Sequence, residues 1–182
     1  GWRAAAENPC GPIAKGPEPP RPAQAMPEPA QTKESKQTLA PAQLGVLIGG
    51  YHIPVMKSPD IAVLEVLSAI LAGGESSRLH QRVVRKDRSG VGAGGQVWAF
   101  EDPGLFMVLG AFLSADQLDK LQAGLFDELR RVTREKVSDE ELTKAKNQLT
   151  SRLVFGLQDV DGLADRIGTA KLVRGDAKAW ID

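Results

Sequence analysis

Cysteine and histidine are scarce in this sequence, which has one cysteine and two histidines among 182 residues. The single cysteine, Cys10, excludes an internal disulfide framework. His52 and His80 are far apart and belong to no His-x-x-His, His-x-x-x-His or Cys-x-x-Cys pair, so the ligand spacing of a zinc site is absent. We interpret both histidines as core or surface residues and expect no metal site in this chain.

The sequence also lacks an excess of charge of one sign and a long apolar run. Its 23 lysines and arginines balance 23 aspartates and glutamates, so the net charge gives no reason to expect a nucleic-acid partner. The best apolar run, residues 61–72, is shorter than the ~18 residues that a membrane span needs, and it contains Glu65. We therefore predict no membrane span.

The N-terminus has neither the basic start and apolar middle of a signal peptide nor an initiator methionine, so we expect a fragment of a longer protein. Nine of the twelve prolines fall in residues 1–41. Proline fixes φ and donates no backbone hydrogen bond, which excludes regular helix and central strand. We interpret residues 1–41 as an extended linker, with a ligand for a proline-binding module as the alternative. Residues 42–182 are expected to fold.

The rest of the chain carries clear turn and capping signals. Asp-Pro-Gly at residues 102–104 predicts an antiparallel hairpin. Ser114 with Gln117, and Ser138 with Glu141, are capping boxes that open two helices. The predicted elements are a strand at residues 44–53, helices at 59–72 and 77–87, strands at 91–100 and 105–113, helices from 114 and from 138, and two helices rather than one in 154–174.

Apolar periodicity predicts which helix faces are buried. The helix at residues 59–72 is apolar nearly all round, so we expect it to be deeply buried. Hairpin strands with grouped helices predict an α+β fold, with helices packed on one face of a mostly antiparallel sheet. The sheet has three strands at best, so further strands are expected outside this chain. The later helices are predicted to place Leu118, Leu121, Leu125, Leu129, Val132, Leu142, Ala145, Leu149 and Leu153 inward, and Lys144, Lys146 and Arg152 outward.

The glycine-rich segment at residues 90–95 matches the letters of the dinucleotide fingerprint G-x-G-x-x-G. In that fingerprint a strand precedes and a helix follows, because the pyrophosphate rests on the helix N-terminus. Here the order is reversed, so we do not expect a nucleotide site. A strand poor in side chains instead suits the docking of a peptide by strand addition.

The helix predicted at residues 77–87 is basic, but no aromatic residues are interleaved with its charges, which argues against nucleic-acid binding. We interpret its cations as solvated, with one arginine available to hold a substrate carbonyl or carboxylate. Ser76 and Ser77 lie near His80 without the Gly-x-Ser-x-Gly setting of a nucleophile, so we interpret both as helix caps. No catalytic residue is predicted.

Several segments, in the same order, resemble the insulinase-like (pitrilysin) zinc metalloproteases, and in particular the bacterial relatives of the mitochondrial processing peptidase. The most specific is the Gly-Gly-x-Ser-Ser-Arg-Leu box at residues 73–79, joined to the apolar helix before it. The segments at residues 49–55, 81–86, 102–106 and 137–149 also fit. The resemblance covers nearly the whole chain, and its proline-rich start is similar to the linker between the two lobes of these proteases.

The resemblance implies a two-lobe clamshell protease. This chain would be an incomplete non-metal lobe, and the other lobe would carry zinc on a His-x-x-Glu-His motif. In the family the non-metal lobe can supply an arginine and a tyrosine to the substrate backbone. Arg85 matches the arginine position and is the candidate substrate-binding residue. Val91 or Gly92 stands where the tyrosine would fall, so half of that pair is missing.

The resemblance further implies that the parent protein hydrolyses peptide bonds and that this chain alone does not. The implied partners are a peptide or unfolded protein and the zinc-bearing lobe, in the same chain or in a partner subunit. The resemblance also allows a dimer, and it favours a bacterial periplasm or cell envelope. The alternative is a non-catalytic scaffold or assembly subunit related to the processing-peptidase core proteins.

Overall fold

The structure, a computed structural model, describes residues 16–17 and 43–179. The proline-rich segment interpreted as a linker therefore lies outside the described residues, apart from Gly16 and Pro17. Its role as a linker stays a prediction, as does the boundary between residues 41 and 42.

Three strands and a set of helices make up residues 43–179, in the predicted order. The strands begin and end within two residues of their predicted ends. None of the helices between residues 43 and 179 has the length and apolar character of a membrane span. The elements are β1 (Gly45–Ile53), α1 (Asp60–Ala72), a π helix (His80–Lys86), β2 (Gly92–Trp98), β3 (Gly104–Phe112), a 3-10 turn (Ala115–Gln117), α2 (Leu118–Arg134), α3 (Asp139–Gly156) and α4 (Val160–Arg174).

Local signals set the starts of the later helices. Ser138 and Glu141 form a capping box at the start of α3, and Ser114 and Gln117 form one at the 3-10 turn that leads into α2. Both boxes are therefore confirmed. The break predicted within residues 154–174 is also confirmed, because α3 ends and α4 begins inside that range.

The three strands form one antiparallel sheet in the order β1–β3–β2. Gly50 of β1 and Gln96 of β2 both lie opposite Met107, one on each side of the central strand. Strands β2 and β3 are the predicted hairpin. Within residues 43–179 the outer sides of β1 and β2 pair with no further strand, so the sheet has two free edges. The predicted α+β class is confirmed.

Helices cover one face of this sheet. Alternate residues of β3, among them Phe106, Val108 and Phe112, are buried. They share one core with Leu121 and Leu125 of α2, because the period of two in a strand and that of 3.6 in a helix each bring one apolar face inward. All five apolar residues predicted to face inward from α2 belong to this core or pack against it, which confirms that prediction.

The other face of the sheet is apolar and open. Val46 and Ile48 of β1 are 52% and 61% exposed, and Trp98 of β2 and Leu109 of β3 are 41% and 36% exposed. The register places all four on the same side of the sheet, opposite the side occupied by Val108. Exposed apolar residues that share one face of a sheet make that face a candidate interaction surface.

Two burial predictions were wrong. Only residues 68–71 of α1 are buried, and Val63 near its start is 67% exposed. The contact of α1 with α3 centres on the buried Ala145, which meets the C-terminal end of α1, whereas Ile61 and Leu64 in its first turns are only partly buried against the sheet core. Leu153, expected to face inward from α3, is 40% exposed because it lies two turns beyond that contact.

The basic segment at residues 77–87 is helical, but its hydrogen bonds are mostly those of a π helix rather than an α-helix. After it, the backbone amides of Ser89 and Gly90 both donate to the carbonyl of Val83, at 2.9 and 3.1 Å. These bonds close a wide last turn and direct the chain into β2, while Val83 stays fully buried. Single-turn π segments occur frequently at functional sites.

Candidate functional site

Residues 73–98 contain the basic segment and the glycine-rich segment of the sequence. They fold in succession as a loop, the π helix and the edge strand β2. Helix α1 ends at Gly73, whose amide donates to the carbonyl of Ala69 at 2.9 Å. Gly74 follows with a φ of 98°. That left-handed conformation disfavours residues with a Cβ, which explains a glycine at this position. The chain then passes Glu75 and Ser76 on its way to the π helix.

One face of α3 holds this loop. Glu141, Lys144 and Gln148 are spaced three and four residues apart, so they share one side of the helix. Nε2 of Gln148 donates to the carbonyl of Gly73 at 3.0 Å, and Nζ of Lys144 donates to Oγ of Ser76. Together with the ion pair of Glu141, these bonds fix the loop at both ends and near its middle.

Arg78 and Glu141 form the strongest of these contacts. Nε and Nη2 of Arg78 donate to Oε1 and Oε2 of Glu141 at 2.6 and 2.7 Å, which is a bidentate arrangement. The Arg78 side chain is only 11% exposed. The hydrogen bond from Arg78 lowers the pKa of Glu141 from 4.5 to about 2, against the opposing effect of partial burial. The same bond raises the pKa of Arg78.

The interpretation of two serines as helix caps was wrong. No side chain caps the start of the π helix. Oγ of Ser76 instead accepts the bond from Lys144. Ser77 is 3% exposed, and its hydroxyl has no hydrogen-bond partner among the described residues. The physical reason is the docking of α3, which draws Ser76 toward it and buries Ser77 beneath.

Arg85, the predicted substrate-binding residue, lies on the π helix with a side chain that is 61% exposed. Its Nη2 donates to Oε2 of Glu75 at 3.0 Å, and within residues 43–179 this is the bond that its guanidinium makes. The carbonyl of Glu75 in turn accepts from Nε2 of Gln81 at 2.8 Å. Residues 43–179 therefore leave the remaining N–H groups of Arg85 without a partner.

Strand β2 follows the π helix and has few side chains, because it contains three glycines. The space around these glycines differs. A Cβ at Gly95 would lie 2.9 Å from the Cβ of Ala72, so a larger residue would push α1 away. A Cβ at Gly92 would meet nothing within 4 Å. Val91, just before the strand, is 50% exposed. The site thus brings Arg85 and a glycine-rich free edge close together in the chain, without an aromatic ring at position 91 or 92.

The described residues offer no metal centre. Between residues 43 and 179, no three His, Cys, Asp or Glu side chains come together in a way that could hold a metal ion. His80 is half-buried on the π helix, and its Nδ1 has no partner in that part of the chain. The donor set of these residues therefore does not fit a catalytic zinc ion, which needs three protein ligands.

A family model described as the peptidase M16 inactive domain matches residues 4–149. The chain belongs to the peptidase M16 family. The match contains all three strands, the π helix with Arg85, and the part of α3 that holds the loop. The resemblance to insulinase-like zinc metalloproteases is thereby confirmed, whereas the finer assignment to the processing-peptidase branch stays a prediction.

Relatives of this M16 inactive domain are similar along most of its length. An uncharacterized zinc protease of Rickettsia felis is 30% identical over 126 residues, which are 69% of this chain and 30% of that protein. One from Streptomyces coelicolor is 35% identical over 117 residues, 64% of this chain and 25% of that protein. The inactive peptidase domain from Bordetella parapertussis is 25% identical with a TM-score of 0.68, and the alignment covers 78% of this chain and 74% of that structure.

This chain spans less than a third of the length of those two curated relatives. The likeness therefore concerns one part of a larger protein. None of these three comparisons favours the alternative of a scaffold or assembly subunit.

Sequence reasoning misses the residues that hold the site in place. The capping box identifies Glu141 only as a helix-start residue, and the outward position of Lys144 gives no hint of a partner. Glu75 occupies the unspecified position of the Gly-Gly-x-Ser-Ser-Arg-Leu box, which predicts no role for it. One signal was available: hydrogen-bonding side chains at positions 141, 144 and 148 share a helix face, which favours a polar partner for that face.

Proposed function

We propose that this chain is the non-metal lobe of a zinc-dependent peptidase, and that it binds an extended peptide while a separate lobe cleaves it. Membership in the M16 inactive-domain family supports the division between the two lobes. The observation that carries peptide binding is the exposure of Arg85, whose guanidinium makes one bond to the described residues and lies on the π helix that precedes a glycine-rich edge strand.

The free edge of β2 offers the peptide its main-chain partners. An edge strand presents unpaired backbone N–H and C=O groups, and an extended peptide can add to it as a further strand. Few side chains obstruct such an approach, because β2 has glycine at positions 92, 94 and 95. Arg85 would donate to a main-chain carbonyl of the bound peptide, which is a charge-assisted hydrogen bond.

The apolar open face of the sheet suits the same role. The side chains of an added strand alternate between the two sides of the sheet, so half of them would lie beside Trp98 and Leu109. A separate lobe, in the same polypeptide or in a partner subunit, would hold zinc and supply the activated water. The contribution of this chain would be to bind and orient.

A peptide-binding measurement tests this proposal. The chain is incubated with a library of random decapeptides, and the bound fraction is measured by mass spectrometry. Arg85→Gln should weaken binding about fivefold, the value of one exposed charge-assisted hydrogen bond. Lys86→Gln is the matched control, because Lys86 is the exposed neighbour on the same π helix.

Two outcomes would contradict the proposal. Equal binding by the wild-type chain and Arg85→Gln would remove Arg85 from the peptide site. Cleavage of the library by this chain alone, supplied with zinc, would show that the division of labour between lobes is wrong.

A further inference from the structure

We propose that Glu75 makes the Arg85 site selective for internal peptide carbonyls over free C-terminal carboxylates. This inference rests on the proposed function, because it describes the ligand that Arg85 accepts. It starts from the ion pair between Nη2 of Arg85 and Oε2 of Glu75, at 3.0 Å.

An arginine alone would favour a carboxylate. Its planar guanidinium matches the two oxygens of a carboxylate in a bidentate arrangement, as the Arg78–Glu141 pair in this protein shows. At Arg85 one nitrogen already donates to Glu75, so part of the donor edge is occupied. A single carbonyl oxygen can accept a hydrogen bond from one of the Arg85 N–H groups that do not donate to Glu75.

Charge works in the same direction. Glu75 brings a negative charge into contact with Arg85, so the pair has no net charge, and a second carboxylate would meet both attraction and repulsion. A peptide carbonyl is neutral and meets little repulsion. The site therefore favours the interior of a chain over its C-terminal end.

Two nearby arginines, Arg78 and Arg82, are already paired with carboxylates and add little positive charge. Nε of Arg82 donates to Oδ2 of Asp87 at 2.7 Å, and Nη2 of Arg82 lies 3.6 Å from Oδ2 of Asp127. Arg78 is occupied by Glu141. Lys86 and Arg88 are exposed and contribute positive charges that do not depend on Glu75.

The loop that carries Glu75 is held on both sides, so the carboxylate stays near Arg85. Gln148 donates to the carbonyl of Gly73, two residues before Glu75, and Lys144 donates to Ser76, the next residue. The Glu75 carbonyl itself accepts from Gln81 on the π helix. An exposed ion pair is weak by itself, but this backbone anchoring keeps its two ends within reach of each other.

A preference measurement tests the inference. The random decapeptide library is prepared in two halves, one with free C-terminal carboxylates and one with C-terminal amides, and the ratio of their bound fractions is measured at low ionic strength. Glu75→Gln should shift this ratio toward the free acids about threefold, the effect of one exposed like charge near contact distance. Glu75→Asp keeps the charge and should keep the wild-type ratio. Glu140→Gln, which removes an exposed carboxylate from α3, is the control.

The outcomes separate this inference from the proposed function. An unchanged ratio in Glu75→Gln, while Arg85→Gln still weakens binding of both halves, overturns the selectivity and leaves the peptide site standing. Binding that is absent in the wild-type chain, or that does not depend on Arg85, overturns the proposed function and the selectivity with it. A threefold shift that also disappears at high salt supports the electrostatic origin.

Discussion

Replacing Glu141 with glutamine separates the ion pair of this residue from its role at the helix start. Glutamine can keep the capping box, in which the Glu141 side chain accepts from the amide of Ser138 at 3.0 Å. It cannot form the ion pair with Arg78. The guanidinium of Arg78, only 11% exposed, would then remain charged in a largely buried place without its counter-charge.

The pKa of Glu141 sets the size of the expected effect. Its fall from 4.5 to about 2 corresponds to an upper limit of about 3.4 kcal/mol, at about 1.36 kcal/mol for each pH unit. The Glu141 side chain is 34% exposed, so solvent screens the pair and lowers this value. We expect Glu141→Gln to reduce the free energy of unfolding by about 1–2 kcal/mol near neutral pH.

The pH dependence of this loss has a definite sign. Because folding lowers the pKa of Glu141, the folded chain binds fewer protons than the unfolded chain, and the stabilisation is complete above about pH 4.5. It is lost as the pH falls toward 2. Urea unfolding followed by circular dichroism at several pH values should therefore show a difference between wild type and variant that shrinks in acid.

The matched control is Glu140→Gln. Glu140 lies in the same first turn of α3 and is exposed, so its loss removes an equal charge near the helix N-terminus without touching Arg78. We expect a change of about 0.5 kcal/mol or less. Equal urea midpoints for the two variants near neutral pH would refute the reasoning. So would a difference between wild type and Glu141→Gln that stays constant down to about pH 2.

Two further substitutions test burial and close packing. Glu65→Gln should raise the free energy of unfolding near neutral pH, because burial, partly offset by Arg152, raises the pKa of Glu65 and makes its charged form unfavourable. Thermal unfolding should show this gain shrinking as the pH falls, and a gain independent of pH would argue against it. Gly95→Val should cost about 1–3 kcal/mol in urea unfolding, since even a Cβ there lies 2.9 Å from that of Ala72. Gly92→Ala, with open space around its Cβ, should stay within about 0.5 kcal/mol, and a larger loss there than at Gly95 would contradict the packing.

The fold was predictable wherever residues close in sequence determine the structure. The Asp-Pro-Gly turn at residues 102–104, between strand-like runs at residues 91–100 and 105–113, predicts the hairpin of β2 and β3, and this signal acts within a few residues. The capping boxes at Ser114 and Ser138 identify the starts of two helices for the same reason. In each case the backbone hydrogen bonds are satisfied locally, so no distant partner changes the outcome.

Burial and helix type depend on distant partners, and there the sequence was insufficient. The apolar surface of α1 shows that it can be buried, but not which of its turns Ala145 of α3 will meet. After the π helix, the amides of Ser89 and Gly90 donate to the Val83 carbonyl in a wide turn that leads into β2. A helical pattern at residues 77–87 contains no information about that destination.

The site was only half predictable for a similar reason. The family resemblance gave Arg85 as the candidate substrate-binding residue, which stays a prediction, and the structure places it on an exposed helix face. The contact that secures the segment joins Arg78 to Glu141, 63 residues later, and Gln148 reaches back 75 residues to Gly73. Neither separation gives a periodic signal, so only the packing of α3 against the loop reveals them.

The ion pairs of its arginines change how the basic segment at residues 77–87 is interpreted. In the sequence, its closely spaced cations suggest a positive surface that could attract a polyanion. In the structure, Arg78, Arg82 and Arg85 each have a carboxylate partner, so three of the five lysines and arginines in residues 78–88 contribute to positioning the loop and the helix, while Lys86 and Arg88 stay exposed. Long-range attraction needs unpaired charge, whereas a directed hydrogen bond needs only one free N–H at a fixed place. The paired arginines therefore fit the proposed function, in which Arg85 would donate to a neutral peptide carbonyl.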